Sequence, residues 1–293
     1  MTRQSRKQML LILASTLVAI ALVMTAQLSA AIDYPAGVVL DAYWSFDNSG
    51  DPYHDDSGNG HNGSALPSED PSWQDGYLSF DAANDCVTFD NVIGNFGTSD
   101  FAVVFLMRTA TEQGQTVMGK RVFCGVHSFW EMTMSEPAAP AGEMFVELYQ
   151  EQDVKIDFPG NYYLADGDWH EVGIVREGLE SRFYVDGDLY ASDSFAELIN
   201  IDNVAPFRLG DGPCVDVGNA SHFSGELDEV RIYVVPEAGT QGEENTQGEE
   251  DTQGEEETQG CCGATGPVAP LGLAIGMLLL SRFAGHRSTS RRR

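Results

Sequence analysis

Oxygen-bearing side chains crowd one stretch of this sequence, Asp47 to Gly63. Asp47, Asp51, Asp55 and Asp56 are interleaved there with Asn48, Asn59 and Asn62 and with Gly50, Gly58, Gly60 and Gly63. Carboxylates, amide oxygens and backbone carbonyls are what Ca²⁺ collects, six to eight at a time. Glycine lets successive carbonyls turn toward one centre. An EF-hand register starting at Asp55 is met at Ser57, Asn59 and Gly60 but fails at the twelfth position, where Leu66 stands in place of Glu. A cation site here must draw a ligand from elsewhere, and Asp228 supplies it if the first and last strands are neighbours. The expected calcium ligands are Asp47, Asp56, Asn59 and Asp228. The competing reading is a metal-free loop of Asx turns.

Other reactive side chains carry less. Glu226-Leu227-Asp228-Glu229 resembles the acidic strand of a glycosidase, in which same-face acids recur at every second residue. The third acid is missing, because Val230 follows. A retaining pair about 5 Å apart cannot come from this strand alone, so no catalytic residue is expected. His170 shares parity with Val172 and Ile174, which predicts a core histidine bonded to backbone. His54, His61, His127 and His222 lack metal-ligand spacing, and no nucleophile elbow or phosphate loop is present. Trp44, Trp73, Trp130 and Trp169 could stack on sugar rings, although Trp44 falls on a buried parity. In an exported chain two of Cys86, Cys124 and Cys214 can pair and leave one thiol over, or all three can be buried thiols; spacing does not choose.

These residues need elements to hold them. Leu40, Ala42, Trp44 and Phe46 alternate with Asp41, Tyr43 and Ser45, the signature of a strand with one buried face. Phe101 to Met107 is apolar on both parities, as in a strand covered on both sides. Strands follow at His170–Val175, Arg182–Val185 and Leu189–Ala191, and Asp186-Gly187 is a hairpin turn between the last two. No long 3.6-residue period intervenes. Many short strands with close turns predict an all-β antiparallel sandwich or jelly roll over residues 32–236.

Outside that domain the chain of 293 residues reads as addresses. Residues 1–31 form a secretory signal: Arg3, Arg6 and Lys7, the apolar run Met9 to Met24, then small residues Ser29 and Ala31 before a cleavage point. Residues 237–260 are a disordered acidic linker built on Thr-Gln-Gly-Glu-Glu-X repeats, which bury nothing and repel themselves. Residues 261–293 hold Cys261-Cys262-Gly263, an apolar stretch and an arginine-rich end, a membrane segment whose positive side stays in the cytoplasm. That arrangement resembles the C-terminal sorting signals of bacterial surface proteins. The formal charge is −29, and residues 32–236 alone carry 36 acidic against eight basic side chains. Such a surface repels phosphate backbones, which excludes nucleic acid as a partner.

Seven segments, in order, resemble laminin-G-like (concanavalin A-like) jelly-roll domains: 42–47, 56–63, 78–81, 100–105, 167–172, 183–187 and Phe223 to Tyr233. Cys86 departs from the aromatic residue common at its position, and residues 123–143 do not align. The resemblance implies two antiparallel sheets of six or seven strands, with the first and last strands adjacent. It also implies binding of glycans, proteins or lipids, often with Ca²⁺. The expected protein is an exported, surface-anchored, non-catalytic recognition module for a polysaccharide or a surface protein. The alternatives are a glycoside hydrolase or lyase on the same fold, or a purely structural envelope protein.

Overall fold

The computed structural model describes residues 31–236 apart from 136–138, 153 and 219. The expectations for the two ends and the acidic linker lie outside the described residues, among which no helix is long and apolar enough to cross a membrane.

Among the described residues, fourteen strands form two antiparallel sheets. The first is built from β1 (Val39–Trp44), β2 (Ser72–Trp73), β3 (Leu78–Asp81), β5 (Phe101–Arg108), β10 (His170–Glu177), β11 (Glu180–Val185), β12 (Asp188–Ser194) and β14 (Ser224–Val234). Its order is β12-β11-β10-β5-β14-β3-β2, with β1 also paired to β14. The second contains β4 (Val87–Thr88), β6 (Gln115–Lys120), β7 (Phe129–Met134), β8 (Glu143–Glu151), β9 (Val154–Tyr163) and β13 (Arg208–Leu209), in the order β4-β13-β6-β7-β8-β9. A short helix, α1 (Pro213–Asp216), follows β13. The expected adjacency of the chain's first and last strands is present, because β1 runs antiparallel to β14 with Trp44 opposite Val230.

The core lies between the sheets and is unusually aromatic at its centre. Trp44 packs 4.1 Å from Phe89 and 5.8 Å from Phe207, and Phe207 stacks 5.4 Å from Trp130. All four are buried. Trp130 also donates its indole N–H to the Gly94 carbonyl at 2.9 Å. A Cβ at Gly94 would lie 2.9 Å from that indole, and its φ is +73°, so only glycine lets the loop close onto the ring. β5 is apolar on both parities for the reason the sequence suggested. Val103, Phe105 and Met107 enter the main core, while Ala102 and Val104 join a second cluster with Ile32, Val175 and Tyr184.

Two buried cations fasten the loops at one end. Arg176 donates to the carbonyls of Phe96, Gly97, Ser99 and Ile199, and Lys120 donates to those of Asn91 and Ala205. Loop carbonyls removed from water need donors, and these two side chains supply them. Burial lowers the guanidinium to about 10 and the ammonium to about 8. A third fastening is covalent: Cys124, in the β6–β7 connection, is bonded to Cys214 of α1. Cys86 is engaged in a disulfide as well, so neither a leftover thiol nor three buried thiols is found among the described cysteines. Residues 123–143, which resisted alignment, hold β7, and that strand pairs with β8 without a break from Phe129 to Met134.

Candidate functional site

The outer face of the eight-stranded sheet gathers most of the polar side chains singled out above. Its geometry is set by a bulge in β14, where the register with β5 shifts between Asp228 and Arg231 and Glu229 takes φ +53°. A non-glycine residue in that region is costly and worth accounting for. Here it turns Glu229 so that Tyr43 donates its hydroxyl to the carboxylate at 2.8 Å. The Arg231 guanidinium pairs with the same carboxylate and lies 4.7 Å over the Tyr43 ring.

Asp228 sits beside this knot and accepts the backbone N–H of Glu229 at 2.7 Å. Burial, reinforced by the nearby Asp47 carboxylate, pushes Asp228 up to about 6. Asp47, Asp56 and Asp228 all bear electrostatically on the Tyr43 hydroxyl. Of the four expected ligands, Asp47 bears electrostatically on Asp228, while Asp56 and Asn59 are hydrogen-bonded to the β1 segment. Asp56 accepts the Ser45 hydroxyl at 2.6 Å. Asn59 spends its amide N–H groups on the Leu40 and Asp41 carbonyls, at 3.3 and 2.8 Å. Among the described residues no three His, Cys, Asp or Glu side chains are grouped to hold a metal. The oxygen chemistry suits Ca²⁺, and a bound ion would have to recruit carbonyls and water around the Asp47–Asp228 pair.

The loop's own organiser is Asp55, which the sequence placed only in a crowd. One carboxylate oxygen accepts N–H groups of Tyr43 and Ser57, and the other accepts the Ser57 hydroxyl and the His61 N–H, all at 2.9–3.0 Å. Burial opposes its charge, but these donors outweigh burial and hold the carboxyl below its ordinary range. The Asx-turn reading thus describes the middle of the loop.

His170 is buried as expected, yet its partners are not backbone. Nδ1 lies 2.9 Å from Asp186 and Nε2 lies 3.2 Å from Asp166. Alternation revealed the burial but not two carboxylates arriving from separate turns. Of the four tryptophans, Trp44 and Trp130 are core, which removes Trp130 from the stacking candidates. Trp73 packs against the core and donates to the Phe46 carbonyl at 2.6 Å. Trp169 remains partly exposed, with Arg108 at 4.9 Å over its ring.

Sequence reasoning also missed a row of acids on the outer face of the other sheet. Glu131 of β7 stands opposite Glu147 of β8, which stands opposite Asp157 of β9. Residues so separated meet only through strand register, and no local spacing announces them. Arg121 bridges the first two, at 2.8 Å from Glu131 and 3.5 Å from Glu147. Lys155 pairs with Asp157 at 2.5 Å. Glu226 is ion-paired to Arg108 at 3.1 Å. Each of these four acids is thus engaged by a cation.

Two antiparallel sheets closed by the chain's own first and last strands define a jelly-roll sandwich. Residues 81–236 match the family Laminin_G_3, described as the concanavalin A-like lectin/glucanases superfamily, and the chain belongs to it. No curated protein matches the chain in sequence. Among solved structures it is similar to domain 4 of AbnA, a GH43 extracellular arabinanase from Geobacillus stearothermophilus, solved in complex with arabinotriose. The TM-score is 0.52 at 16% identity, over 68% of this chain and 93% of that one. It is also similar to the binding domain of Paraclostridial Mosquitocidal Protein 1, with TM-score 0.50 at 17% identity, over 66% of this chain. The match covers 48% of that toxin domain, so the chain spans about half its length. Similarity at these identities establishes the fold.

Proposed function

We propose that this protein is a non-catalytic recognition module, exported and held at the cell surface by its C-terminal segment, that binds polysaccharide. The observation that carries the reading is how the acids are used. Glu226 and Glu229 of the acidic β14 segment are tied to Arg108 and Arg231, and Glu131, Glu147 and Asp157 of the other sheet are tied to Arg121 or Lys155. Meanwhile the outer sheet face keeps Trp169 and Tyr77 partly exposed. The arabinanase domain of like fold was solved with arabinotriose, which makes a neutral oligosaccharide the first ligand to try. A surface protein is the second, because a sandwich can bind through its loops or its faces and fold alone does not select between them.

Calcium belongs to this reading as an ion drawn to Asp228 and Asp47, whose charge already bears on Asp228 in a strongly acidic domain. It would neutralise the seam that joins the first and last strands. The test is binding of the full chain to an array of neutral and acidic glycans, with calcium and with chelator. Retention of at least one glycan class is the expected result. Silence on every glycan, together with saturable binding to a surface protein, would replace the polysaccharide reading with the protein one. Turnover of any retained glycan would overturn the non-catalytic assignment.

A further inference from the structure

Arg108 is one of only eight basic side chains in residues 32–236, and its surroundings are built rather than incidental. Its guanidinium lies 4.9 Å over the Trp169 ring and 5.6 Å over the Tyr77 ring, and the two rings meet edge to face at 5.5 Å. Its Nε donates to Glu226 at 3.1 Å, with about a quarter to a third of each side chain exposed. Beside the pair opens a cavity of about 350 Å³ lined by Ser79, Thr109, Thr111, Ser224, Gly225 and Glu226. Gly225 lets β14 pack closely on β5 beneath it: a Cβ there would come within 2.5 Å of the Arg108 carbonyl and 2.7 Å of the Phe223 ring.

The Thr109 side of the cleft and the turn beside it are held by hydrogen bonds. Thr109 donates its hydroxyl to the Ser224 carbonyl at 2.6 Å and accepts the Thr111 N–H at 3.1 Å. The turn carrying Trp169 is held by Gly167 N–H on the Thr109 carbonyl at 3.0 Å and by the Asp168 N–H on Asp166 at 2.9 Å. His170 then ties Asp166 to Asp186. A rigid site loses little entropy on binding.

We propose that this cleft on the outer face of the eight-stranded sheet is a metal-independent subsite for one neutral sugar ring. The Trp169 and Tyr77 rings lie under the Arg108 guanidinium and hold it in place, while Ser79, Thr109, Thr111 and Ser224 give the cleft a polar lining suited to sugar hydroxyls. The Arg108–Glu226 pair offers a fixed donor beside a fixed acceptor for adjacent hydroxyls. Because the pair is neutral as a unit, a neutral ligand meets no uncompensated charge. A uronate or sulfate instead meets the repulsion of a domain rich in carboxylates. The inference takes its ligand class from the function proposed above and adds the place, the charge selectivity and the independence from calcium.

The experiment compares retention of the full chain on neutral arabinan and mixed-linkage β-glucan with retention on polygalacturonate, in chelator, for the native protein, Trp169→Ala, Arg108→Lys and Tyr190→Ala. Arg108→Lys keeps the charge and loses the planar stack, so it separates the subsite from mere folding damage. Melting curves register any such damage independently. The expected result is chelator-resistant binding to a neutral polysaccharide, weakened roughly tenfold or more by Trp169→Ala and by Arg108→Lys and unchanged by Tyr190→Ala, an exposed residue on β12. Neutral binding that survives both substitutions would overturn the subsite while leaving glycan recognition intact. Preference for polygalacturonate would overturn the charge selectivity, and loss of all neutral binding in chelator would overturn the independence from calcium. No glycan binding under any condition would remove both this inference and the polysaccharide reading.

Discussion

Asp55 shows how much one side chain can organise. Four donors converge on its two oxygens, two on each. An asparagine has one accepting oxygen and one donating nitrogen, so Asp55→Asn must turn an N–H group toward two other donors whichever way it is placed. Hydrogen bonds to charged groups contribute more than neutral ones, and unmet buried donors add a penalty. The substitution is therefore expected to destabilise the domain by about 3 kcal/mol, read as a lower urea midpoint. His170 makes a different prediction. Burial pulls its proton affinity down, but hydrogen bonds and charge from Asp186 and Asp166 more than reverse this, and the net effect is upward. The folded imidazole thus binds its proton more tightly than the unfolded one. Its stabilisation is full below the ordinary histidine value and is lost as pH rises through the folded value. The melting-temperature gap between the native protein and His170→Gln should be widest near pH 5.5 and close by pH 8.5; a gap that does not change with pH would contradict the ion-paired role.

Elements were legible in the sequence where a single strand carries its own pattern. Trp44 and Ala42 announce the buried face of β1 by parity. Asp186-Gly187 announces the β11–β12 hairpin, with φ of +51° and +84°. What escaped notice depends on register between strands distant in sequence. The Glu131–Glu147–Asp157 row is one such feature, and the stack of Tyr77, Arg108 and Trp169 is another, because three turns of chain must fold before those rings meet. The β14 bulge escaped for a related reason: Glu229 lies in an otherwise regular strand sequence, and only pairing with β5 makes the extra residue visible. The β6–β7 connection adds a covalent case. Cys124 and Cys214 are 90 residues apart, so their bond removes much of the freedom of the unfolded chain. Replacing both by serine should cost about 2–4 kcal/mol, checked by thermal melting of the double variant against the native protein without reductant.

At the scale of the whole molecule the balance of charge sets the behaviour. With 36 acids and eight bases in residues 32–236, the folded domain repels itself, and any cation that screens or binds it favours the compact state. Screening and binding can be told apart. Sodium chloride should raise the melting temperature of the native protein and of an Asp47→Asn/Asp228→Asn variant by similar amounts, since screening depends on the whole surface. The variant should itself gain stability without any ion, because it removes the repulsion that the exposed Asp47 carboxylate exerts on half-buried Asp228. Calcium at matched ionic strength should add a further increment to the native protein alone, approaching about 2.7 kcal/mol at a hundredfold excess over the dissociation constant. Magnesium, which demands octahedral geometry and keeps its water, should add less. An equal response to calcium in both proteins would mean that the Asp47–Asp228 seam takes up no ion and that the polar loop serves the fold alone.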